Sequence, residues 1–381
     1  MRVLINAASA RRGGILTYTQ NLVSYMLDRG VDVKVAAPPD FPTVTPNVLL
    51  PVRAAGYGPV RRVLWEQLMW RRLVARVAPD VLFSSANFGL VRSPVPQVLL
   101  MREGGLFDHV YLSHIAPTQG VRVQITRHLR RRLMLMSTRH ANHVITPSRA
   151  MRDSLLAWDP SLVDKSSVNH YGARHDLFHA DTRERTWRAD GTLRLLYVSV
   201  YYPHKRPNII CRAADLLRER NVGAHATITM TMDELTSTPG AALDRVTMRN
   251  ALKQGTLSLG HHPYVELPGL YASHDVFVFP SVSETFGHPM VEAMASGLPI
   301  VASDTQINRE ICGDGAIYFD PFSADALVEK LTELDRDPAL RERITTNARR
   351  HVRAEFKWED HVDRLINTFE KVIEDARRKS L

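Results

Sequence analysis

Short runs rich in apolar residues recur along the chain and alternate with stretches of helical periodicity. A first series of such runs covers residues 2–6, 31–37, 80–83, 97–101 and 143–146, and a second covers 193–199, 224–230, 275–279 and 299–303. Continuous apolar runs are typical of strands buried on both faces of a parallel sheet. Their alternation with helices predicts an α/β fold. Because the runs fall into two series, we expect two doubly wound domains.

The stretch between the two series is polar and charged. Residues 180–191 read ADTRERTWRADG and contain few apolar side chains, which indicates a linker. We therefore predict an N-terminal domain over 1–185, a second domain over 186–355, and a final helical segment over 356–381 that packs back on the first domain. Ligands of doubly wound sheets bind at the carboxyl ends of the strands. Two such sheets facing a central cleft would place the ligand in that cleft.

The composition and the lengths of the apolar runs argue against a disordered chain, an integral membrane protein and a small disulfide-rich secreted protein. Hydrophobic residues make up 44% and charged residues 23% of the 381 residues, which argues against wholesale disorder. No run of about 18 uncharged apolar residues is present, and the apolar stretch at the N-terminus is too short for a signal peptide. The two cysteines, Cys211 and Cys312, cannot build a disulfide framework. We therefore expect a cytoplasmic protein.

Positive charge is concentrated in the first half of the chain. Residues 1–190 hold 26 Lys and Arg against 14 Asp and Glu, whereas residues 191–381 hold 23 against 26. A field of this kind attracts nucleic acid, an anionic membrane or a phosphorylated substrate. Arginine greatly outnumbers lysine in the chain. The base composition of the genome is therefore an alternative explanation for the excess of positive charge.

The most informative segment, residues 279–303, reads FPSVSETFGHPMVEAMASGLPIVAS. It predicts a strand, a loop with Glu284, a helix with Pro289 in its first turn and Glu292 one turn later, a tight turn, and a strand. Gly287 lets the backbone come close to a ligand, and a helix start binds phosphate oxygens. Carboxylates at these places can accept hydrogen bonds from sugar or ribose hydroxyls. The alternative is that both glutamates only complement the helix dipole on a solvated face.

Glu284 and Glu292, with seven residues between them, resemble the E-x7-E motif of glycosyltransferase family 4, the retaining GT-B enzymes. The similarity continues at residues 144–148, 168–173, 259–261, 267–273, 310–316 and 319–321. It implies a GT-B fold and a metal-independent hexosyltransferase without a cofactor. Such an enzyme moves a sugar, with retention, from a UDP- or GDP-linked donor to an acceptor hydroxyl. Polysaccharide, glycolipid or glycosylated natural-product biosynthesis is the expected setting.

The resemblance also implies roles for single residues. Glu292 would bind the ribose of the nucleotide sugar, and Glu284 would contact the sugar and stabilise charge near the anomeric carbon. Further donor-binding residues implied by the motif are Phe286, Gly287, His288 and Pro289, with Gly260 near the base.

Lys205, in the loop after the strand at 193–199, is similar to the family's diphosphate lysine. Negative charge builds on the diphosphate as the glycosidic bond breaks, so this position needs a cation. The family usually carries an arginine five residues earlier, where this sequence has Val200. Arg206 or His204 is a candidate to replace it.

Two short motifs are less specific. Gly13 and Gly14 resemble the family's N-terminal glycine loop, which meets the diphosphate, although an ordinary strand–helix turn explains a glycine pair as well. Asp335 and Asp337 have the spacing of a metal-binding Asp-x-Asp motif. Because they lie between two helical patterns and beside a proline, we predict a turn with helix capping instead.

On the acceptor side, family members often carry His-Asp where this sequence has Arg102 and Glu103. The arginine would meet an anionic acceptor and the glutamate would orient a hydroxyl. A structural ion pair in the loop is the alternative, and Asp108 and His109 are further candidates for the acceptor site.

Residues 121–139 form a basic helical pattern with an apolar stripe at spacings of four and three. One interpretation is peripheral contact with an anionic membrane, at the inner membrane face, with a lipid-linked acceptor. The other is a helix whose stripe faces the core and whose arginines face water. The arginine-rich segment at 61–72 also favours an anionic membrane or an anionic, lipid-linked acceptor.

Two rival functions make different predictions. A basic membrane-surface or nucleic-acid-binding module without catalysis would leave the carboxylate helix unexplained, and no nucleic-acid partner is expected. An NAD-dependent dehydrogenase would need a G-x-G-x-x-G fingerprint, which the sequence lacks.

Overall fold

The computed structural model describes residues 1–10, 14–42, 45–179 and 186–379. Within them lie thirteen strands. They are β1 Arg2–Asn6, β2 Asp32–Ala37, β3 Leu49–Pro51, β4 Val81–Ser84, β5 Gln97–Leu100, β6 His143–Thr146, β7 Ser166–Val168, β8 Leu193–Tyr197, β9 Ala224–Ile228, β10 Leu257–Leu259, β11 Val276–Phe279, β12 Ile300–Ser303 and β13 Ile317–Phe319.

The same residues form fourteen α-helices, with a π-helix over Glu66–Trp70 and another over Tyr111–Ile115. The α-helices are α1 Gly14–Asp28, α2 Pro59–Trp65, α3 Arg71–Val77, α4 Val121–His140, α5 Arg149–Trp158, α6 Pro207–Glu219, α7 Met232–Ser237, α8 Ala242–Lys253, α9 Leu267–Ala272, α10 His288–Ala295, α11 Gln306–Cys312, α12 Ala324–Arg336, α13 Pro338–Glu355 and α14 Trp358–Arg378. None of these described helices is long and apolar enough to cross a membrane.

The first of two compact units comprises residues 1–103, 126–172 and the chain from 358 onward. Its sheet has seven parallel strands in the order β3-β2-β1-β4-β5-β6-β7. Val3 is aligned with Val33 on one side and with Val81 on the other, and all three side chains are buried. Helix α14 packs on this unit, where Phe369 lies 5.4 Å from Phe83 between ring centres.

The second unit comprises residues 104–125 and 173–357. Its sheet has six parallel strands in the order β10-β9-β8-β11-β12-β13. Strands β8 and β11 are neighbours although four α-helices and two strands separate them in sequence, so the strand order reverses between them. In open parallel sheets, such a reversal opens a crevice at the carboxyl ends of the strands.

The two parallel sheets confirm the predicted α/β fold with two doubly wound, Rossmann-like domains. Residues 180–185, which form the first half of the predicted 180–191 linker and reach the 185/186 boundary, are outside the described residues, so these limits stay predictions. The turn with helix capping predicted at Asp335-Arg336-Asp337 is confirmed for Asp337, which accepts the N–H of Leu340 at 2.9 Å at the start of α13, whereas Asp335 lies within α12.

Candidate active site

Two loops meet at the strand reversal of the second unit. One follows β8 and carries Lys205, and the other follows β11 and carries Glu284. The backbone N–H of Val282 donates to the carbonyl of His204 at 3.0 Å, and the Tyr197 hydroxyl donates to the carbonyl of Lys205 at 3.1 Å. These bonds hold the two loops in a fixed relation to each other and to the sheet.

The loops bring Lys205 and Glu284 into an ion pair. The Nζ of Lys205 lies 2.5 Å from Oε1 of Glu284, and both side chains are largely buried. The same Nζ lies 5.8 Å from the centre of the Phe279 ring. A buried charge without a partner is costly, so each member of this pair stabilises the other. The result is one ammonium and one carboxylate presented together at the crevice.

Helix α10 begins directly after this pair. Gly287 precedes it with φ of +86°, a conformation that side chains rarely adopt, and Pro289 occupies its first turn. The Tyr271 hydroxyl oxygen lies 3.2 Å from the carbonyl oxygen of Pro289, beside that turn. The N-terminal end of α10, where the helix dipole is positive, therefore lies next in sequence to Glu284.

Glu292 lies one turn into α10 and is buried. It accepts hydrogen bonds from the Tyr271 hydroxyl at 2.9 Å and the Tyr264 hydroxyl at 3.3 Å. Burial raises the pKa of Glu292 to about 7, and the two hydroxyls, which favour the ionised form, oppose that rise. The pKa of Glu292 therefore lies near neutral pH. The sequence analysis did not identify either tyrosine. Tyr264 lies just after Gly260, and Tyr271 lies in the stretch 267–273 that is similar to the family.

The other residues considered in the lysine loop are His204, Arg206 and Val200, and their surroundings differ. Burial and the neighbouring Lys205 hold the pKa of His204 well below its usual range, so this imidazole is neutral at pH 7. Arg206 has its guanidinium carbon 4.8 Å from the centre of the Phe322 ring. Burial lowers the pKa of Arg206, and the carboxylates of Asp244 and Asp320 oppose that shift. Val200, at the position of the family arginine, is exposed.

In the first unit, Arg102 lies against two buried tyrosines. Its guanidinium carbon is 5.4 Å from the ring centre of Tyr18 and 5.9 Å from that of Tyr171. A Cβ built on Gly14, the first residue of α1, would lie 3.7 Å from Nη2 of Arg102. Gly13 is outside the described residues. Arg102 and Gly14 are thus neighbours within this unit.

Glu103 forms an ion pair, its Oε2 lying 2.7 Å from Nη2 of Arg130 in α4. Asp108, one of the alternative acceptor-site residues, accepts the backbone N–H of Val110 at 2.7 Å and of Tyr111 at 3.1 Å. Its carboxylate therefore caps the helical turn that follows. His109, beside it, is exposed.

Residues 104–119 pack against the two loops that carry Lys205 and Glu284 inside the second unit, which the sequence did not indicate. A Cβ built on Gly104 would lie 3.1 Å from the carbonyl oxygen of Glu284. The Tyr111 ring lies 5.5 Å from that of His204 and packs with Val282. The glycine pair at 104–105 was the available signal, since only a residue without a side chain allows this approach.

Gly260 follows β10 and donates its N–H to the carbonyl of Ile228 at 3.4 Å.

Among the described residues, no group of three or more His, Cys, Asp or Glu side chains could hold a metal ion.

Two family models match consecutive parts of the chain. The model "Glycosyltransferase Family 4" matches residues 12–172, and the model "Glycosyl transferases group 1" matches residues 180–351. The chain belongs to the group 1, family 4 glycosyltransferases. The second model covers both loops of the site and helix α10.

Known proteins agree with this assignment. The O-antigen chain mannosyltransferase B of Escherichia coli is 35% identical over 111 residues, which are 29% of each chain. The match spans at most half the length of the curated relatives, 29% and 42% for two of them. Sucrose-phosphate synthase of Thermosynechococcus elongatus has a TM-score of 0.76 at 17% identity, over 98% of this chain and all of that one. Anabaena Alr3699/HepE, solved with UDP and glucose, has a TM-score of 0.73 at 16% identity, over 97% and 100%. These likenesses support the GT-B fold.

Proposed function

We propose that this chain is a retaining glycosyltransferase that moves a hexose from a nucleotide-diphosphate sugar to an acceptor hydroxyl. The observation that carries the proposal is the pairing of Lys205 with Glu284 at the strand reversal, directly before α10. A cation, a carboxylate and a helix start are the groups that an activated sugar phosphate needs. The UDP and glucose bound by HepE support a nucleotide-sugar donor.

The donor lies along α10 in this proposal. The ribose hydroxyls donate to Glu292, the diphosphate lies by Lys205 and the start of α10, and the sugar contacts Glu284. Phe286, Gly287, His288 and Pro289 line the diphosphate and sugar. Gly260, after β10, lies near the base. Glu284, the start of α10 and Glu292 follow one another along one strand–loop–helix segment. Their order matches the order of the sugar, the diphosphate and the ribose in the donor.

Transfer proceeds on one face of the sugar. The bond between the anomeric carbon and the diphosphate oxygen breaks, the acceptor oxygen bonds to the same face, and the leaving phosphate takes the acceptor proton. Lys205 stabilises the negative charge on the leaving group, and Glu284 stabilises the positive charge on the sugar. We propose that no metal ion is needed, because Lys205, Arg206 and the helix start supply positive charge to the diphosphate.

Arg102 is proposed to contact the acceptor. Its Nη1 is buried and has no hydrogen-bond partner among the described residues, and cation–π contact with Tyr18 and Tyr171 holds the guanidinium in place. A fixed guanidinium binds phosphate or carboxylate well, which favours an anionic acceptor. Glu103 would orient a hydroxyl, with Arg130 holding its carboxylate.

The proposal is tested by offering the protein a panel of UDP- and GDP-hexoses. We expect one base to raise the melting temperature, since a ligand that binds only the folded state stabilises it. With acceptor present, the anomeric proton followed by NMR should keep the configuration of the donor. An inverted product would contradict retention, and a panel without any stabilising nucleotide sugar would contradict the donor class.

Donor binding is expected to depend on pH through Glu292. Ribose hydroxyls bind the ionised carboxylate best, so binding an intact nucleotide sugar pulls the pKa of Glu292 down from about 7. Affinity is then full above that pKa and falls below it. The expected loss is about tenfold between pH 8 and pH 6, as for one linked proton.

Titration calorimetry at several pH values measures this change. The control is Glu292→Gln, which keeps the shape of the side chain and is expected to bind more weakly but with no pH dependence. A wild-type affinity that is flat between pH 6 and 8 would contradict the role of Glu292.

A further inference from the structure

Two tyrosine hydroxyls from outside helix α10 hold Glu292. Tyr264 begins a short 3₁₀ turn after β10, and Tyr271 lies in α9. The Tyr271 hydroxyl is 2.9 Å from Oε2 of Glu292 and the Tyr264 hydroxyl is 3.3 Å from Oε1, so each reaches a different carboxylate oxygen. A carboxylate accepts about four hydrogen bonds through its two oxygens. The tyrosines therefore leave one acceptor site on each oxygen, and the two adjacent hydroxyls of a ribose would fill both.

Packing fixes the rings that carry these hydroxyls. Tyr271 is fully buried, and its ring centre lies 5.7 Å from that of Phe277 and 5.7 Å from that of Phe178. Phe178, itself buried, also lies 5.5 Å from the Tyr264 ring between ring centres. Close-packed side chains in a protein interior have little freedom to move. The hydroxyls therefore set the orientation of the carboxylate instead of following it.

The single proton of the Tyr271 hydroxyl has two possible acceptors. The hydroxyl oxygen lies 2.9 Å from the Glu292 carboxylate and 3.2 Å from the carbonyl oxygen of Pro289, and a phenol donates one hydrogen bond. An ionised carboxylate is the stronger acceptor, so it takes this proton. A protonated Glu292 would instead donate its own O–H to Tyr271, and the tyrosine proton would turn to Pro289. The direction of this hydrogen bond thus depends on the charge of Glu292.

Other charged and titratable groups near the carboxylate come from α10 itself and from the segment after β7. His288 lies four residues before Glu292 on α10. Arg174 and Asp176 pair with each other at 2.5 Å and have opposite effects on the pKa of Tyr264. Burial, and after it the charge of Glu292, raises the pKa of both tyrosines above its usual range. Both hydroxyls therefore keep their protons at neutral pH.

We propose that Tyr271, with support from Tyr264, is a positioning residue for the donor, because it gives its proton to Glu292 and holds this carboxylate ionised and facing the two ribose hydroxyls. The inference rests on the proposed function, in which Glu292 binds the ribose. Without the tyrosine proton, burial favours a protonated Glu292, and the added proton removes an acceptor site that the ribose needs. Donor affinity at neutral pH therefore depends on hydroxyls that do not themselves contact the ribose.

Titration calorimetry of Tyr271→Phe at several pH values tests this proposal, with UDP-glucose and GDP-mannose as the probes. Phenylalanine keeps the packed ring and removes only the hydroxyl. Loss of a hydrogen bond to the ionised form should raise the pKa of Glu292 from about 7 by roughly one pH unit. Affinity for the nucleotide sugar should then be about fivefold below that of the wild type at pH 7, and the two proteins should agree within about twofold at pH 8.5.

Two further variants calibrate the result. Tyr264→Phe removes the longer and weaker of the two hydrogen bonds, so its loss of affinity at pH 7 should have the same direction and be smaller. The matched control is Tyr318→Phe, which removes a hydroxyl that donates to the carbonyl of Gly313 at 2.6 Å in the same unit. This control should bind like the wild type at every pH. The other groups that titrate near the site are common to all four proteins, so their effects cancel in the comparison.

The melting temperature shows whether each variant is folded, and Tyr264→Phe decides by the same criterion if Tyr271→Phe does not fold. A loss of affinity by the same factor at pH 7 and pH 8.5, or no loss at either, would overturn the positioning role. If the wild type bound neither nucleotide sugar at any pH, the proposed function would fail and this inference with it. A wild type that binds, with tyrosine variants that keep its pH dependence, would refute the tyrosine inference alone.

Discussion

Replacing Glu284 with glutamine is expected to lower the turnover of glycosyl transfer by about 10²- to 10³-fold, the range seen when one preorganised electrostatic contact to a transition state is removed. Glutamine keeps the size of the side chain and can still accept a hydrogen bond from Lys205, now at 2.5 Å from the carboxylate. What disappears is the negative charge that faces the sugar as positive charge develops there. Donor affinity should therefore change little, by about threefold or less.

Initial rates and calorimetry on the same preparation separate the two effects. The matched control is Glu333→Gln, which removes an exposed pair with Lys330 at 2.8 Å and should leave turnover unchanged, since such pairs contribute little. Turnover of Glu284→Gln within a few-fold of the wild type, with an unchanged melting temperature, would rule out the proposed role of this carboxylate.

Replacing Lys205 with methionine is expected to reduce turnover by a similar factor and also to weaken donor binding. The ammonium is the cation that the strand reversal presents to the diphosphate, and its stabilisation grows as the leaving group gains charge. Unlike Glu284→Gln, this change leaves a largely buried carboxylate without its partner, so the free energy of unfolding should fall by about 1–3 kcal/mol.

The double variant Lys205→Met with Glu284→Gln separates catalysis from stability. It should recover part of the lost stability, because no unpaired charge remains, while turnover stays low. Lys205→Arg, which keeps the charge, should recover part of the turnover, and Lys330→Met serves as the exposed control. If Lys205→Met turned over like the wild type, the diphosphate would have to be held elsewhere.

The sequence predicted the central strands of both sheets and missed the edges. Strands β3, β7, β10 and β13 were not predicted, and each is a three-residue strand at the edge of its sheet. A strand buried on both faces leaves a continuous apolar run, whereas three residues paired on one side leave no recognisable period. The interior strands carried the signal because burial dictates their composition.

The candidate site was predictable where chemistry depends on a local pattern. Glu284, Gly287, Pro289 and Glu292 lie in one strand–loop–helix segment whose spacing is legible in the sequence. The hydroxyls on Glu292 and the approach of Gly104 to Glu284 come from elements distant in sequence. Such tertiary contacts leave no periodic trace, so only the folded chain reveals them.

Helix α4 illustrates a different limit. Its periodicity correctly indicated one apolar side and several arginines, but periodicity does not state which side faces the protein. Burial of Arg131 against Trp158 decides the matter, because attraction to the indole face offsets part of the cost of desolvating the guanidinium. The same pattern would otherwise read as an ordinary surface helix.

We propose that one segment, the Glu284 loop and α10, binds a nucleotide sugar together with Lys205. A crystal structure of the chain with the nucleotide sugar that stabilises it most tests this claim directly. We predict a ribose hydroxyl within hydrogen-bond distance of Glu292 and a diphosphate oxygen within reach of Nζ of Lys205. A nucleotide bound elsewhere on the chain, with Lys205 and Glu284 still facing only each other, would contradict it.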